Sequence, residues 1–205
     1  FGKEAIMSVL VAHEAPDFTA AAVLADGQIK EDFRLSDLRG RYVVLFFYPL
    51  DFTFVCPTEI IAHHKRMPEF RKRGVEVVGV SIDSQFTHFA WRNTPVKEGG
   101  IGPVDFPLVA DIRHDIARAY GVEHPDGVAL RASFLIDRKG VVQHQVVNNL
   151  PLGRDVDGML RVVDALPVTE KHGEVCPAGW HAGEAGMTPT AEGVAEYLSG
   201  HEKQL

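Results

Sequence analysis

Two cysteines are the residues of this chain most able to do chemistry, and each sits directly before a proline. Cys56, in Phe54-Val55-Cys56-Pro57-Thr58-Glu59, follows a long apolar run and opens a predicted helix. Cys176, in Gly173-Glu174-Val175-Cys176-Pro177-Ala178, lies in a tail rich in glycine and proline. A thiol at a helix N-terminus faces unpaired N–H groups and the positive end of the helix dipole, which favour the nucleophilic thiolate. Two thiols in such different settings suggest unequal roles in one redox cycle. There is no C-x-x-C, so neither a paired-thiol redox motif nor a zinc ribbon is indicated. No metal site or organic cofactor is expected, and the adjacent His63 and His64 point to different sides of a helix.

Three residues could tune Cys56. Thr53, three residues upstream, can place a hydroxyl beside the sulfur. Pro49 can cap the pocket with an apolar ring and limit water. Arg131 can stabilise a thiolate if its strand neighbours the Cys56 helix. Taken singly, each has an equally good plain reading: Thr53 caps a turn, Pro49 ends a strand, and Arg131 is a surface charge.

The elements that must position these residues follow from patterning. At 205 residues, 45% hydrophobic and 24% charged, the chain can build one sizeable core, or a domain with an extension. A net charge of −7 argues against a nucleic-acid binder. No run approaches the ~18 apolar residues of a membrane span. Two cysteines do not make a disulfide scaffold, and a cytoplasmic protein is expected, with its cysteines either redox-active or simply buried. Residues 1–7 are read either as a cloning remnant, six residues ahead of a candidate start at Met7, or as a processed or longer native terminus; residues 8–166 as the domain; and 167–205 as an arm.

Asp26-Gly27 joins an N-terminal hairpin. Tyr42 to Tyr48 and Val75 to Asp83 read as strands covered on both faces. The helix from Cys56 runs towards Arg73 with Gly74 as its C-cap, and Pro68 kinks it or breaks it in two. Ser84 to Asn93 and Ile112 to Tyr120 read as helices and Phe106 to Ala110 as a short strand. A second hairpin joins Ala132–Asp137 to Val141–Val147. Asp155 to Leu166 is an amphipathic helix with Val156, Met159, Leu160 and Val163 inward. A late helix covers Gly193–Leu198. This order predicts an α/β fold, a central mixed sheet flanked by helices, with an N-terminal hairpin and a C-terminal arm. Trp91 is assigned to packing, and His88, His114 and His144 to the surface or to structure.

The stretch Phe47-Tyr48-Pro49-Leu50-Asp51-Phe52-Thr53-Phe54-Val55-Cys56-Pro57-Thr58-Glu59 resembles the active-site signature of typical two-cysteine peroxiredoxins. Gly173-Glu174-Val175-Cys176-Pro177-Ala178-Gly179-Trp180 resembles their resolving-cysteine segment. The resemblance implies a thioredoxin-like fold. It implies that Cys56 is the peroxidatic cysteine, attacking hydrogen peroxide or an alkyl hydroperoxide to leave a sulfenic acid. It implies that Thr53 and Arg131 bind the peroxide oxygens, that Pro49 shields the sulfenic acid, and that Glu59 and Arg154 hold Arg131 in place. Cys176 is then the resolving cysteine, forming an intersubunit disulfide that thioredoxin or a flavoprotein reductase reduces. Homodimers joined into decamers are implied partners, and a holdase chaperone or an oligomeric peroxide sensor is the alternative function. Gly99-Gly100-Ile101-Gly102 and Tyr197-Leu198 are modified forms of two elements that resemble those of easily over-oxidised members. With Leu198 in place of an aromatic residue, intermediate sensitivity is expected.

Overall fold

The computed structural model describes residues 9–202, so the remnant assigned to residues 1–7, with Met7, lies outside the described residues. Among these, seven strands form one mixed sheet: β1 (Thr19–Val23), β2 (Ile29–Arg34), β3 (Tyr42–Phe47), β4 (Val75–Ser81), β5 (Leu108–Ala110), β6 (Arg131–Ile136) and β7 (Val142–Asn148), in the order β2-β1-β5-β4-β3-β6-β7. The helices are α1 (Cys56–Lys65), α2 (Met67–Lys72), α3 (Gln85–Asn93), α4 (Asp115–Ala119), α5 (Val156–His172) and α6 (Ala191–His201). No helix among the described residues is long and apolar enough to cross a membrane. The residues divide into two compact units, one ending at Val156 and the other beginning at Asp157.

Every residue of β3 is buried, as its unbroken apolar run requires of a strand covered on both faces. It pairs in parallel with β4 and antiparallel with β6. The register is what builds the site. Because Phe46 pairs with Ser133, the start of β6 at Arg131 lies beside the chain just beyond the end of β3. That same stretch leads through Tyr48 and Pro49 into the loop before α1.

The predicted long helix is two helices, separated at Arg66 just ahead of Pro68, and Gly74 follows at φ +68°. At the other end of the chain the expectation fails: the helix predicted to stop at Leu166 continues through Pro167 to His172. An interior proline removes one helical hydrogen bond and does not by itself end the helix. The late helix is likewise longer than predicted, opened by Thr190, whose side chain accepts from the Gly193 N–H. Leu198, on that helix, is 41% exposed, and Tyr197 stacks on His201.

Gly79 lets β4 run beneath the site. A Cβ there would lie 2.9 Å from both Leu108 Cδ2 and Phe46 Cζ, two fully buried side chains. Phe46 in turn carries the His63 ring at 4.2 Å and the Arg154 guanidinium at 5.5 Å. Gly79→Ala is expected to lower unfolding stability by about 1–3 kcal/mol through overpacking, read from the urea midpoint. An unchanged midpoint would show that Phe46 and Leu108 can give way.

Candidate active site

Cys56 is the first residue of α1 and has no exposed surface. Pro57 stands in the first turn, where its missing N–H loses nothing. Val55 occupies the N-cap and offers no side-chain acceptor, so no capping side chain competes for the N-terminal N–H groups. Thr58 donates through its hydroxyl to the Val55 carbonyl at 2.6 Å.

Around the sulfur the tertiary structure gathers three charges. Arg131, at the start of β6, places Nη1 3.3 Å from Cys56 Sγ and 2.8 Å from Glu59 Oε2, and its Nε donates to the Leu150 carbonyl. Arg154 grips the same carboxylate: Nε lies 2.8 Å from Oε1, Nη2 3.0 Å from Oε2, and its backbone N–H 2.9 Å from Oε1. Its Nη1 donates to the Ala132 carbonyl and to Ser133 Oγ. Burial alone would push the Glu59 carboxyl up. The hydrogen bonds and charge of Arg154, followed by the charge of Arg131, outweigh it and hold Glu59 below the usual carboxylate range. One buried carboxylate between two guanidiniums leaves one positive charge in excess, and Arg131 directs it at the sulfur. A thiolate at Cys56 makes the group neutral.

Pro49 is buried at the end of β3. Thr53 is half-buried and donates its hydroxyl to the Leu50 carbonyl at 2.8 Å, which leaves its oxygen free to accept. Pro49, Thr53, Cys56, Glu59, Arg131 and Arg154 all belong to the first compact unit, whereas Cys176 belongs to the second. There an antiparallel bridge between Val175 and Met187 holds the segment, and Cys176 Sγ points at the Ala165 carbonyl, 3.7 Å away. Both cysteines are free thiols. Burial pushes the Cys176 thiol up, Glu174 adds to this, and Arg161 opposes it. Pro177 opens a turn closed by the Trp180 N–H on its carbonyl, with Gly179 at φ +70°.

Sequence reasoning left the surroundings of two buried groups open. His63, on α1, is stacked between Phe46 and Phe70 and donates Nδ1–H to the Glu59 carbonyl at 2.7 Å. His88 is fully buried on α3, with Trp91 and Arg92 on the same face; the three-and-four spacing of this trio was the available signal. His88, Asp51 and Asp83 bring three potential ligand atoms within 4.8 Å of one another. Tyr48, Ser81 and the Asp51 N–H already donate to these carboxylates, and His88 closes on Asp51, so the group is internally satisfied.

A mixed sheet flanked by helices, presenting a buried thiol at a helix start beside a clamped guanidinium, defines a thiol-dependent redox protein of thioredoxin-like fold. Residues 11–145 match the AhpC/TSA family, and residues 165–200 match the C-terminal domain of 1-Cys peroxiredoxin, a segment that here contains Cys176. Alkyl hydroperoxide reductase C of Buchnera aphidicola is 55% identical over 93% of this chain and 98% of its own length. Peroxiredoxin-2 of Mus musculus is 56% identical over 93% and 96%. The crystal structure of reduced Plasmodium vivax 2-Cys peroxiredoxin superposes with a TM-score of 0.91 at 50% identity, covering 93% of this chain and 99% of that one. The chain belongs to the AhpC/TSA family, and it is a peroxiredoxin, a thiol peroxidase.

Burial, reinforced by the charge of Arg154, pushes the His63 imidazole down to about 4. An unfolded imidazole titrates near ~6.5, so between these values the unfolded chain binds more protons and stability falls as pH falls. The loss amounts to about 3 kcal/mol and levels off below the folded value. In His63→Phe this part of the slope should disappear, seen by urea unfolding at a series of pH values. An identical slope in the variant would place the titration elsewhere.

Proposed function

We propose that Cys56 is the peroxidatic cysteine, acting on hydrogen peroxide and alkyl hydroperoxides, and that Cys176 of a partner subunit resolves it. The observation that carries this reading is the Arg131 guanidinium 3.3 Å from a fully buried Cys56 sulfur, clamped by Glu59. The thiolate attacks one peroxide oxygen and the O–O bond breaks. The electron pair leaves on the other oxygen, which takes a proton and departs as water or alcohol. Sulfur is oxidised to a sulfenic acid and the peroxide is reduced. Arg131 donates to the oxygens as charge moves across the breaking bond, and the Thr53 oxygen accepts from the peroxide O–H. Glu59 and Arg154 fix the direction of the Arg131 fork, and Pro49 keeps water from the sulfenic acid.

Resolution requires movement. A disulfide needs Cα atoms within about 7 Å, and a sulfur with no exposed surface must leave its helical turn to be reached. The Cys176 thiolate then attacks the sulfenic sulfur, the S–S bond forms, the S–O bond breaks, and hydroxide leaves as water. A dithiol, from thioredoxin or a flavoprotein reductase, returns both thiols. A cycle that consumes reducing equivalents at every turn fits a cytoplasmic setting. Exposed aromatic side chains support assembly: Phe52 and Phe54 on the loop, and Phe86 and Phe89 on α3, offer a surface through which dimers would join into a decamer.

Cys56→Ser should abolish peroxide consumption in stopped flow, whereas Cys176→Ser should complete one turnover and lose the peroxide-induced dimer on non-reducing gels. Undiminished consumption in Cys56→Ser would overturn the assignment. Arg131→Met should slow Cys56 oxidation by about 10² or more, the usual effect of removing one preorganised donor. A rate near wild type would remove Arg131 from the chemistry.

A further inference from the structure

The loop before Cys56 is held by a second buried polar group that shares no member with the Arg131–Glu59–Arg154 clamp. His88 on α3 and Tyr48 after β3 are fully buried, and Asp51 nearly so. Asp51 Oδ2 lies 2.7 Å from His88 Nδ1, and Asp51 Oδ1 accepts from the Tyr48 hydroxyl at 2.8 Å. His88 Nε2 lies 3.1 Å from the Val109 carbonyl of β5. Both ring nitrogens thus face oxygen acceptors, and the Asp51–His88 pair holds two protons, one between carboxylate and Nδ1 and one directed at Val109. The backbone is fastened as well: the Asp51 N–H donates to Asp83 Oδ2 at 2.9 Å, an oxygen that also accepts from Ser81 Oγ.

The next residue is strained. Phe52 has φ +53°, a left-handed conformation that a bulky side chain rarely adopts. Its ring lies against Trp91, with centroids 5.7 Å apart. Asp51 and Phe52 are therefore both held by α3, one through His88 and the other through Trp91. A non-glycine residue stays in such a conformation only where its surroundings over-determine it. Unwinding the start of α1 moves the chain that Asp51 and Phe52 begin. The strain at Phe52 then favours release, and the Asp51–His88 pair opposes it.

Resting on the assignment of Cys56 and Cys176 above, we propose that Asp51 and His88 are positioning residues that latch the loop carrying Cys56, and so divide its sulfenic acid between two fates. While the loop is closed, Arg131 stays beside the sulfur and a second peroxide can react. The sulfenate sulfur attacks one peroxide oxygen, an S–O bond forms, the O–O bond breaks, and the other oxygen takes a proton and leaves. Sulfur is oxidised to a sulfinic acid as that peroxide is reduced. Once the loop is open, the Cys176 thiolate forms the S–S bond and water is released. A weaker latch therefore favours the disulfide over the sulfinic acid.

The test is rapid mixing of the reduced full-length protein with hydrogen peroxide, followed by quenching and mass spectrometry of Cys56. Three quantities are read: the rate of sulfenic acid formation, the rate of disulfide formation, and the peroxide concentration that sulfinylates half of Cys56. In Asp51→Ala and His88→Ala that concentration should rise at least fivefold, with faster disulfide formation. Asp51→Asn should return to within twofold of wild type. Its carboxamide can donate to Nδ1 of a neutral His88 that keeps Nε2–H on Val109, and its oxygen still accepts from Tyr48. If the alanine variants do not fold, Tyr48→Phe, which removes one donor to Asp51, should shift the division in the same direction. The latch is overturned if the half-sulfinylating concentration stays within twofold of wild type in the alanine variants, or in Tyr48→Phe where those do not fold, or if Asp51→Asn shifts as far as Asp51→Ala. Failure of wild-type Cys56 to form a sulfenic acid would instead overturn the assignment of Cys56.

Discussion

The site depends on one buried carboxylate held between two guanidiniums. Glu59 comes from α1, Arg131 from the start of β6, and Arg154 from the chain after β7. Leaving any one of the three without its partners would strand a buried charge, at a cost of about 3–5 kcal/mol. The clamp therefore fixes where α1 begins relative to the sheet, and with it the position of Cys56. It also sets the sign of the local field, because two cations and one anion leave a positive charge directed at the sulfur. Structure and reactivity rest on the same contact, so loosening Glu59 would both free the helix and release Arg131 from its place beside the thiol.

On the proposed roles of Cys56 and Cys176, a site built this firmly has to come apart within each catalytic cycle. Cys56 has no exposed surface, so its sulfur cannot join another while α1 is intact. The loop before it combines a firm hold with stored strain. Buried hydrogen bonds at Asp51 fasten it, and Phe52 beside them sits in a left-handed conformation. Neither feature alone would suit the task. A loop without fastening would not hold Arg131, Thr53 and the sulfur together, and one without strain would have little reason to leave.

Much of this was legible in the chain. The apolar run of β3, the proline after Cys56, the break near Pro68 and the glycine after Arg73 each have a local physical cause, and each element appears where that cause acts. The errors fall where local rules are weakest. Pro167 was read as a stop, but one lost hydrogen bond does not outweigh the rest of a 17-residue helix. The sequence leaves His88 between a surface and a structural role, and it is structural: its spacing with Trp91 and Arg92 marks the packed face, but nothing local shows that Asp51 faces it. For His63 the sequence shows only that it points to a different side of its helix from His64, and that side is buried between two aromatic rings.

What the sequence determined by itself was which groups are candidates to react and their order along the chain: two thiols in unlike settings, a helix start at Cys56, and an α/β succession to carry them. Those facts depend on residue type and short-range sterics, which act within a few residues. Tertiary structure alone decided that Arg131, 75 positions from Cys56, would reach its sulfur, that Glu59 would be shared with Arg154, and that Asp51 would close on His88. These pairings come from the register of β3 on β6 and the seating of α3, where burying charge and polar groups leaves few ways to satisfy them.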